Sequence, residues 1–306
     1  MFLSIIKKGL ADTIQDDGRY GFQHLGIQPN GCMDYLSAWM GNYILDNPLS
    51  NPILEIHFPA SQFQFEEQGL ICITGANFIP VINEKSIQMH TPVVVYKGDI
   101  LNFLQPIQGK TAYIAVHGKL QTIEWLGSYA GEKINKGDHY ATNTTNTSIS
   151  HKPLNKEMLS KEAKMEQINK HVFDHQNPIR FIPGPAWDDL APNSLSKIIS
   201  DTFSITAQSN RMGFKLQGPL LTLTKPNAYL SSAVTRGSLQ LLPNGEIIVL
   251  MADHQTIGGY ANLGQIILVD LPRFAQMKTG QAFQLSITNL ETAQQLYRNL
   301  YEQFKD

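Results

Sequence analysis

Along most of the chain, short runs either alternate apolar with polar residues or stay apolar for four to six positions, with Gly, Pro, Asn or Asp between them. This is the pattern of strands joined by turns. It predicts strands over 63–65, 70–74, 92–96, 100–104, 112–117, 179–182, 204–207, 238–241, 247–251 and 265–269. Helical spacing is confined to 33–45, 192–200, 271–277 and the tail 290–304. In the first of these, Leu36, Met40 and Ile44 recur every four residues and give one apolar face. The balance predicts a mainly β protein of barrel or sandwich type with a few short helices, not a parallel α/β sheet.

A chain of 306 residues exceeds the usual size of one core. Residues 141–150, ATNTTNTSIS, are poor in apolar side chains, and the stretch to 176 is rich in Lys, Glu, Asn and His with weak periodicity. The expected division is therefore an N-terminal β domain over 1–140, a linker over 141–177, a second β domain over 178–289 and a C-terminal helix over 290–306. The two β regions share one loose pattern: YKGDILNF from Tyr96 and MKTGQAFQL from Met277 both set a Lys and a Gly before a strand.

A net charge of −2 with 16% charged residues gives no basic field for nucleic acid. The longest apolar runs, 247–252 and 265–271, fall far short of the roughly 20 residues that span a bilayer. The opening MFLSIIKKGLADTIQDD has two lysines after a short apolar run, the wrong order for a secretory leader, so a cytoplasmic protein is expected. Cys32 and Cys72 lack CxxC spacing and a His-rich neighbourhood, which reads as buried free thiols with no disulfide and no metal site.

Three segments carry the candidate chemistry. The first, GLADTIQDDGRYGFQHLGIQPNGCMD from Gly9, is too polar for a core strand and must be an extended loop held in place. Asp16, Gly18 and Arg19 suit a turn with an internal Asp to Arg pair, and Gly31 suits a positive φ. The second segment joins PGPAWDDLAPNSL from Pro183 to SITAQSNRMGFKLQGP from Ser204. Asn193 or Ser194 is placed to cap a short helix, and Asn210 and Arg211 bring an amide and a planar guanidinium together. For Arg211 two readings stand: a fork for a carboxylate or phosphate, or a structural salt bridge to an acid.

The third segment, RGSLQLLPNGEIIVLMADHQTIGGYANLGQ from Arg236, is the most informative. An apolar strand delivers Asp253, His254, Gln255 and Thr256 at its end, and Gly258 and Gly259 allow close backbone approach. Asp253 and His254 would share a proton or orient one another, while Gln255 and Thr256 suit an amide or ureido group. A turn in which Asp253 and Thr256 satisfy backbone amides is the other reading. His57, His117 and His139 stand singly and read as packed or solvated. Neither a G-x-x-x-x-G-K-[ST] loop nor a G-x-S-x-G elbow is present.

Taken together, G-L-x-x-T-I-Q-D-x-G-R-x-G with H-L-G and G-x-M-D, then PGP with SNRMG, then GSLQLLPNGEIIVLMADHQTIGGY resemble, in order, the KipA family. That family is also called the C subunit of 5-oxoprolinase, or allophanate hydrolase subunit 2, and is similar to part of the carboxyltransferase component of urea amidolyase. The resemblance implies two cyclophilin-like β-barrel-type domains. It implies one part of an ATP-dependent 5-oxoprolinase that opens 5-oxoproline, a small lactam, to glutamate. Such a chain would be inactive alone and would act with two partners, the A subunit of the complex together with a KipI-like B subunit. ATP would be a co-substrate of the complex.

Carried over, the resemblance places the ligand near Asp253, Gln255, Thr256, Gly258 and Gly259, with Asn210, Arg211 and Gln240 as neighbours, and a domain-framing loop at Asp16, Arg19 and Asp34; the catalytic candidates are Asp253, His254 and Gln255, and the others are substrate-binding candidates. The chain departs from the family pattern in two places. Ser231, Ser232 and Ala233 stand where relatives often have S-E-G, and the loop within 126–136 is short. Two further functions remain. One is the carboxyltransferase of a urea carboxylase, which would need a separate carrier because no A-M-K-M biotin attachment segment occurs here. The other is a non-catalytic regulator that binds a KipI-like kinase inhibitor.

Overall fold

The computed structural model describes residues 1–143, 156–225 and 229–305. They group into two compact units, Met1–Arg19 with Asp34–Phe173 and Tyr20–Met33 with Asp174–Asp306. The polar segment 20–33 thus belongs with the second unit, and residues 144–155 of the expected linker lie outside the described residues.

The first unit contains two six-stranded sheets among the described residues. One runs, edge to edge, His139–Ala141, Phe2–Lys7, Gln62–Phe65, Ile100–Phe103, Pro80–Ile82 and Lys85–Ser86. The other runs Glu132–Lys133, Thr13–Gln15, Ile53–His57, Gln108–Val116, Gly69–Asn77 and Val93–Val95. Alternation decides which side chains go inward: Phe63 and Phe65 from the first sheet meet Leu54, Ile56, Ile71, Ile73 and Ile114 from the second in one core. The opening residues form the strand Phe2–Lys7, in which Leu3 and Ile5 are buried.

The helix Tyr35–Ile44 starts as expected, with the Asp34 carboxylate accepting from the Ser37 amide at 3.0 Å. Its buried face differs by one residue: Leu36 and Met40 are buried, but Tyr43 takes the last core position and Ile44 is only half-buried. Residues 156–172, read from the sequence as linker, are a helix, Lys156–Val172. Among its described side chains the buried apolar ones are Met165, Ile168 and Val172, at spacings of three and four. Charged and amide neighbours hide these positions from a periodicity count, while the Lys, Glu, Met, Ala and Gln content favours helix.

Among the described residues the second unit contains a two-stranded ribbon, Ser232–Ala233 with Ile257–Gly258, and an eight-stranded sheet in the order Ala282–Phe283, Phe203–Ile205, Gly213–Gln217, Ile247–Leu250, Ser238–Leu241, Ala261–Ile266, Ile179–Pro183 and Leu285–Ile287. All pairings are antiparallel except the last, where Ile179 faces Leu285 in parallel register. Phe181, Phe214, Leu239, Val249, Leu263 and Phe274 lie in its core. The protein is thus mainly β with a few short helices, as the pattern predicts.

The helix Pro192–Ser200 occupies the predicted range, but Ala191 takes the N-cap position and Pro192 the first turn. Ser194 instead accepts the Thr222 amide at 2.8 Å. The apolar run from 265 is not one strand: pairing ends at Ile266, and Leu268–Asp270 tightens into a 3-10 turn leading to the helix Leu271–Ala275.

The loose repeat has a structural basis. Gly98 and Gly280 take φ of 90° and 79°, a conformation that suits glycine. In each turn the fourth side chain closes the loop: Asp99 accepts from the Tyr96 amide at 2.9 Å and Gln281 from the Lys278 amide at 3.0 Å. No helix among the described residues is long and apolar enough to cross a membrane.

Candidate functional site

In the second unit the strand Ile247–Leu250 ends against the SNRMG segment, because the Met251 amide donates to Met212 O at 3.0 Å and the Asp253 amide to Arg211 O at 2.8 Å. That pairing fixes Arg211 beside Asp253. The guanidinium donates to both carboxylate oxygens, Nε to Oδ2 and Nη2 to Oδ1, each at 2.8 Å. Its Nη2 also donates to Gly31 O at 2.8 Å. Gly31 has φ of 96°, as its loop requires. A second guanidinium, that of Arg236, donates to Cys32 O at 2.8 Å and to Met33 O. Two arginines and one aspartate therefore hold the segment Tyr20–Met33 onto its own unit. Of the two sequence readings for Arg211, the ion pair is the one present, with Asp253 as its acid.

Asn210 is also engaged in a turn, where its Oδ1 accepts the Met212 amide at 2.8 Å. The neutral residues beyond are different. His254 is buried, and its Nδ1 lies 2.6 Å from Gln255 O. A carbonyl only accepts, so Nδ1 carries the proton and Nε2 keeps its lone pair. Burial, reinforced by the Arg236 charge, holds this imidazole below its ordinary value, against weaker upward effects of the Gln255 carbonyl and Asp253. His254 is neutral near pH 7, with Nε2 as its acceptor atom.

Gln240, on the neighbouring strand Ser238–Leu241, is 1% exposed. Its Oε1 meets Gln255 Nε2 only at 3.5 Å, and its own Nε2 is buried with no hydrogen-bond partner. The Gly258 Cα stands so close that an added Cβ would meet Gln240 Nε2. Gly258 pairs with Ser232, the position where the family resemblance expects an acid, and a Cβ on Gly259 would meet Ser231 Oγ at 3.2 Å. Thr256 is buried, and its carbonyl accepts the Val234 amide at 3.2 Å. The strand end thus brings His254, Gln255, Gln240, Thr256 and Gly258 together, while Asp253, Arg211 and Asn210 bond to the protein itself.

The loop residues assigned from the N-terminal segment lie in the first unit. Asp16 accepts from the Gly18 amide at 2.8 Å, Ser128 Oγ at 2.7 Å and the Tyr129 amide at 2.7 Å. Arg19 donates to Trp125 O at 3.1 Å and Ala130 O at 2.9 Å, with its guanidinium 4.4 Å from the Trp125 ring centre. Asp16 and Arg19 therefore shape the short loop within 126–136, and Asp34 caps a helix. Cys32 and Cys72 are buried free cysteines, and burial pushes the Cys72 thiol up. The sequence reading missed Arg236 as an anchor, although it opens the third segment.

A family profile described as the carboxyltransferase domain, subdomains A and B, matches residues 25–287. The chain belongs to this carboxyltransferase-domain family. Within it, the C subunit of Escherichia coli 5-oxoprolinase is 30% identical over 302 residues, covering 95% of this chain and 93% of that protein. The C subunit of Haemophilus influenzae 5-oxoprolinase is 29% identical over 297 residues, covering 94% and 91%. The urea amidolyase of Saccharomyces cerevisiae is 24% identical over 315 residues, covering 96% of this chain and 17% of that protein. Among solved structures, the K. lactis urea amidolyase superposes with a TM-score of 0.86 at 21% identity, over 99% of this chain. This chain spans 20% of that one, and the likeness concerns the fold. The carboxyltransferase-domain assignment agrees with the resemblance drawn from the three motifs.

Proposed function

We propose that the chain is part of an ATP-dependent 5-oxoprolinase, opening 5-oxoproline to glutamate together with a KipI-like partner and the A subunit of the complex. The near end-to-end correspondence with the C subunit of E. coli 5-oxoprolinase, 95% of this chain on 93% of that one, carries the reading. The strand-end geometry supports it. Opening an unstrained lactam requires a donor to its carbonyl oxygen and an acceptor for a proton. Gln240 Nε2 is an unused buried donor, and His254 Nε2 is a lone pair on a neutral ring.

In this proposal Gln240, Gln255 and Thr256 orient the lactam, and His254 takes a proton from the attacking water and returns it to the ring nitrogen as the C–N bond breaks. Asp253 and Arg211 act as positioning residues through their mutual fork. The residues of this site do not make a triphosphate cradle, since Arg211 and Arg236 are held by Asp253 and by the carbonyls of residues 31–33. No step is therefore routed through ATP here.

The match to one part of urea amidolyase favours a second reading, carboxyl transfer to urea from a carrier on another chain. The deciding experiment measures ATP-dependent glutamate release from 5-oxoproline by the purified chain, alone and mixed with its two partners. Release in the mixture only is expected. An assembled mixture that releases none, yet carboxylates urea with a biotinylated carrier, would replace the first reading with the second.

A further inference from the structure

The first unit holds a cavity of about 350 Å³, within the range of small-molecule sites. The end of the strand Gly69–Asn77, the turn through Ile79 and Pro80, the hairpin reaching His90, and the end of the helix Lys156–Val172 with Phe173 form its walls. Two side-chain atoms of wall residues, His90 Nε2 and Asn169 Oδ1, are buried without a hydrogen-bond partner. An unsatisfied buried polar group is costly. Here a hairpin and a helix distant in sequence bring two residues that carry such atoms to one cavity.

Backbone strain concentrates on the same walls. Ile79 has φ of 50° and His90 φ of 59°, and the left-handed region is costly for a β-branched residue. Asn77 Oδ1 holds the Ile79 amide at 2.9 Å and so enforces the turn. The lining carries no fixed charge. Among the described lining residues none is Asp, Glu, Lys or Arg, and burial holds the His90 imidazole down at about 4, neutral near pH 7. An ionic ligand would lose its hydration without gaining a counter-charge. The rest of the wall includes Ile79, Pro80, Met89 and Phe173, which suit an apolar body.

We propose that this cavity binds a small uncharged carboxamide: an amide N–H donates to Asn169 Oδ1, the other end of the amide meets His90 Nε2, and the apolar body rests on Met89 and Phe173. A carboxamide offers a donor and an acceptor on one flat, neutral group, which matches two orphaned atoms on opposite elements. The site is independent of the 5-oxoprolinase reading, because 5-oxoproline carries a carboxylate at neutral pH and the cavity offers it no cation.

Calorimetric titration of the full chain with benzamide, benzoate and benzylamine tests the assignment with three near-isosteric probes. Benzamide is expected to bind once per chain with a Kd of about 1 mM or tighter, and the two charged probes at least about tenfold more weakly. Asn169→Leu and His90→Asn, on separate elements, each weaken benzamide by about tenfold. Asn tolerates the left-handed backbone at position 90. Absence of saturable benzamide binding, equal binding of benzoate, or wild-type affinity in both variants overturns the proposal. The probe comparison stands even if neither variant folds.

Discussion

Two arginine–aspartate clusters in the second unit obey the same chemistry and serve different ends. Asp270 is fully buried and accepts from Arg180 at 2.7 and 2.9 Å and from Arg273 at 3.2 Å, and Arg273 itself is 2% exposed. Arg273 also donates to the carbonyls of Asp174 and Asn177, so this cluster ties the start of the unit to the helix Leu271–Ala275. Asp253 and Arg211 make the same fork with 27% and 16% of their side chains exposed, and they hold a polar strap beside a group of neutral side chains. The difference teaches where to look for a ligand. Charges that satisfy each other position a site, and around this strand end unfilled hydrogen-bonding capacity lies on Gln240 Nε2, a neutral group, and on Arg236 Nε.

The largest effect that sharpens this contrast is expected at Asp270. Asp270→Ala leaves Arg273 buried and uncompensated, which costs about 3–5 kcal/mol. Urea unfolding of the variant reads this loss directly, and a loss under about 1 kcal/mol would place the cluster with the weak surface pairs. Arg211→Lys keeps a charge but loses the fork. Its expected stability loss is only about 1 kcal/mol, whereas displacement of the strand end lowers turnover of the assembled enzyme on the order of 100-fold. Equal losses at the two clusters would remove the distinction.

A third substitution works in the opposite direction. Gln240→Met removes a buried donor that has no partner, so the isolated chain is expected to gain about 1 kcal/mol while the assembly loses turnover. Thermal melts and the glutamate assay separate the two outcomes. The smallest effect concerns acid. His90 is held at about 4 against its ordinary 6.5, so the folded state binds fewer protons than the unfolded one. Stability therefore falls as pH drops from about 6.5 to about 4. His90→Asn flattens part of that slope, and only part, because burial also lowers His175 and His254.

Much of this was legible in the chain itself where local signals agree. The strand Ser238–Leu241 and the helix Pro192–Ser200 occupy their expected ranges because alternating polar and apolar positions in the one and a leading proline in the other leave little choice. The helix Lys156–Val172 was not legible, since apolar positions such as Met165, Ile168 and Val172 do not stand out among lysines and glutamates. The site was half legible. The strand delivering Asp253 to Thr256 announces itself, but the partnership of Asp253 with Arg211, 42 residues apart, appears only once Met251 and Met212 pair. The isolation of Gln240 Nε2 and the cavity shared by His90 and Asn169 belong to tertiary structure alone, because an unpaired atom leaves no trace in a sequence pattern.

The most direct measurement is ATP-dependent glutamate release from 5-oxoproline by the reconstituted assembly carrying either the wild-type chain or Gln240→Met. The account predicts release by the wild type and its loss in the variant, with a melting temperature at or above that of the wild type. Release at the wild-type rate by Gln240→Met, or none from an assembled wild type, would contradict it.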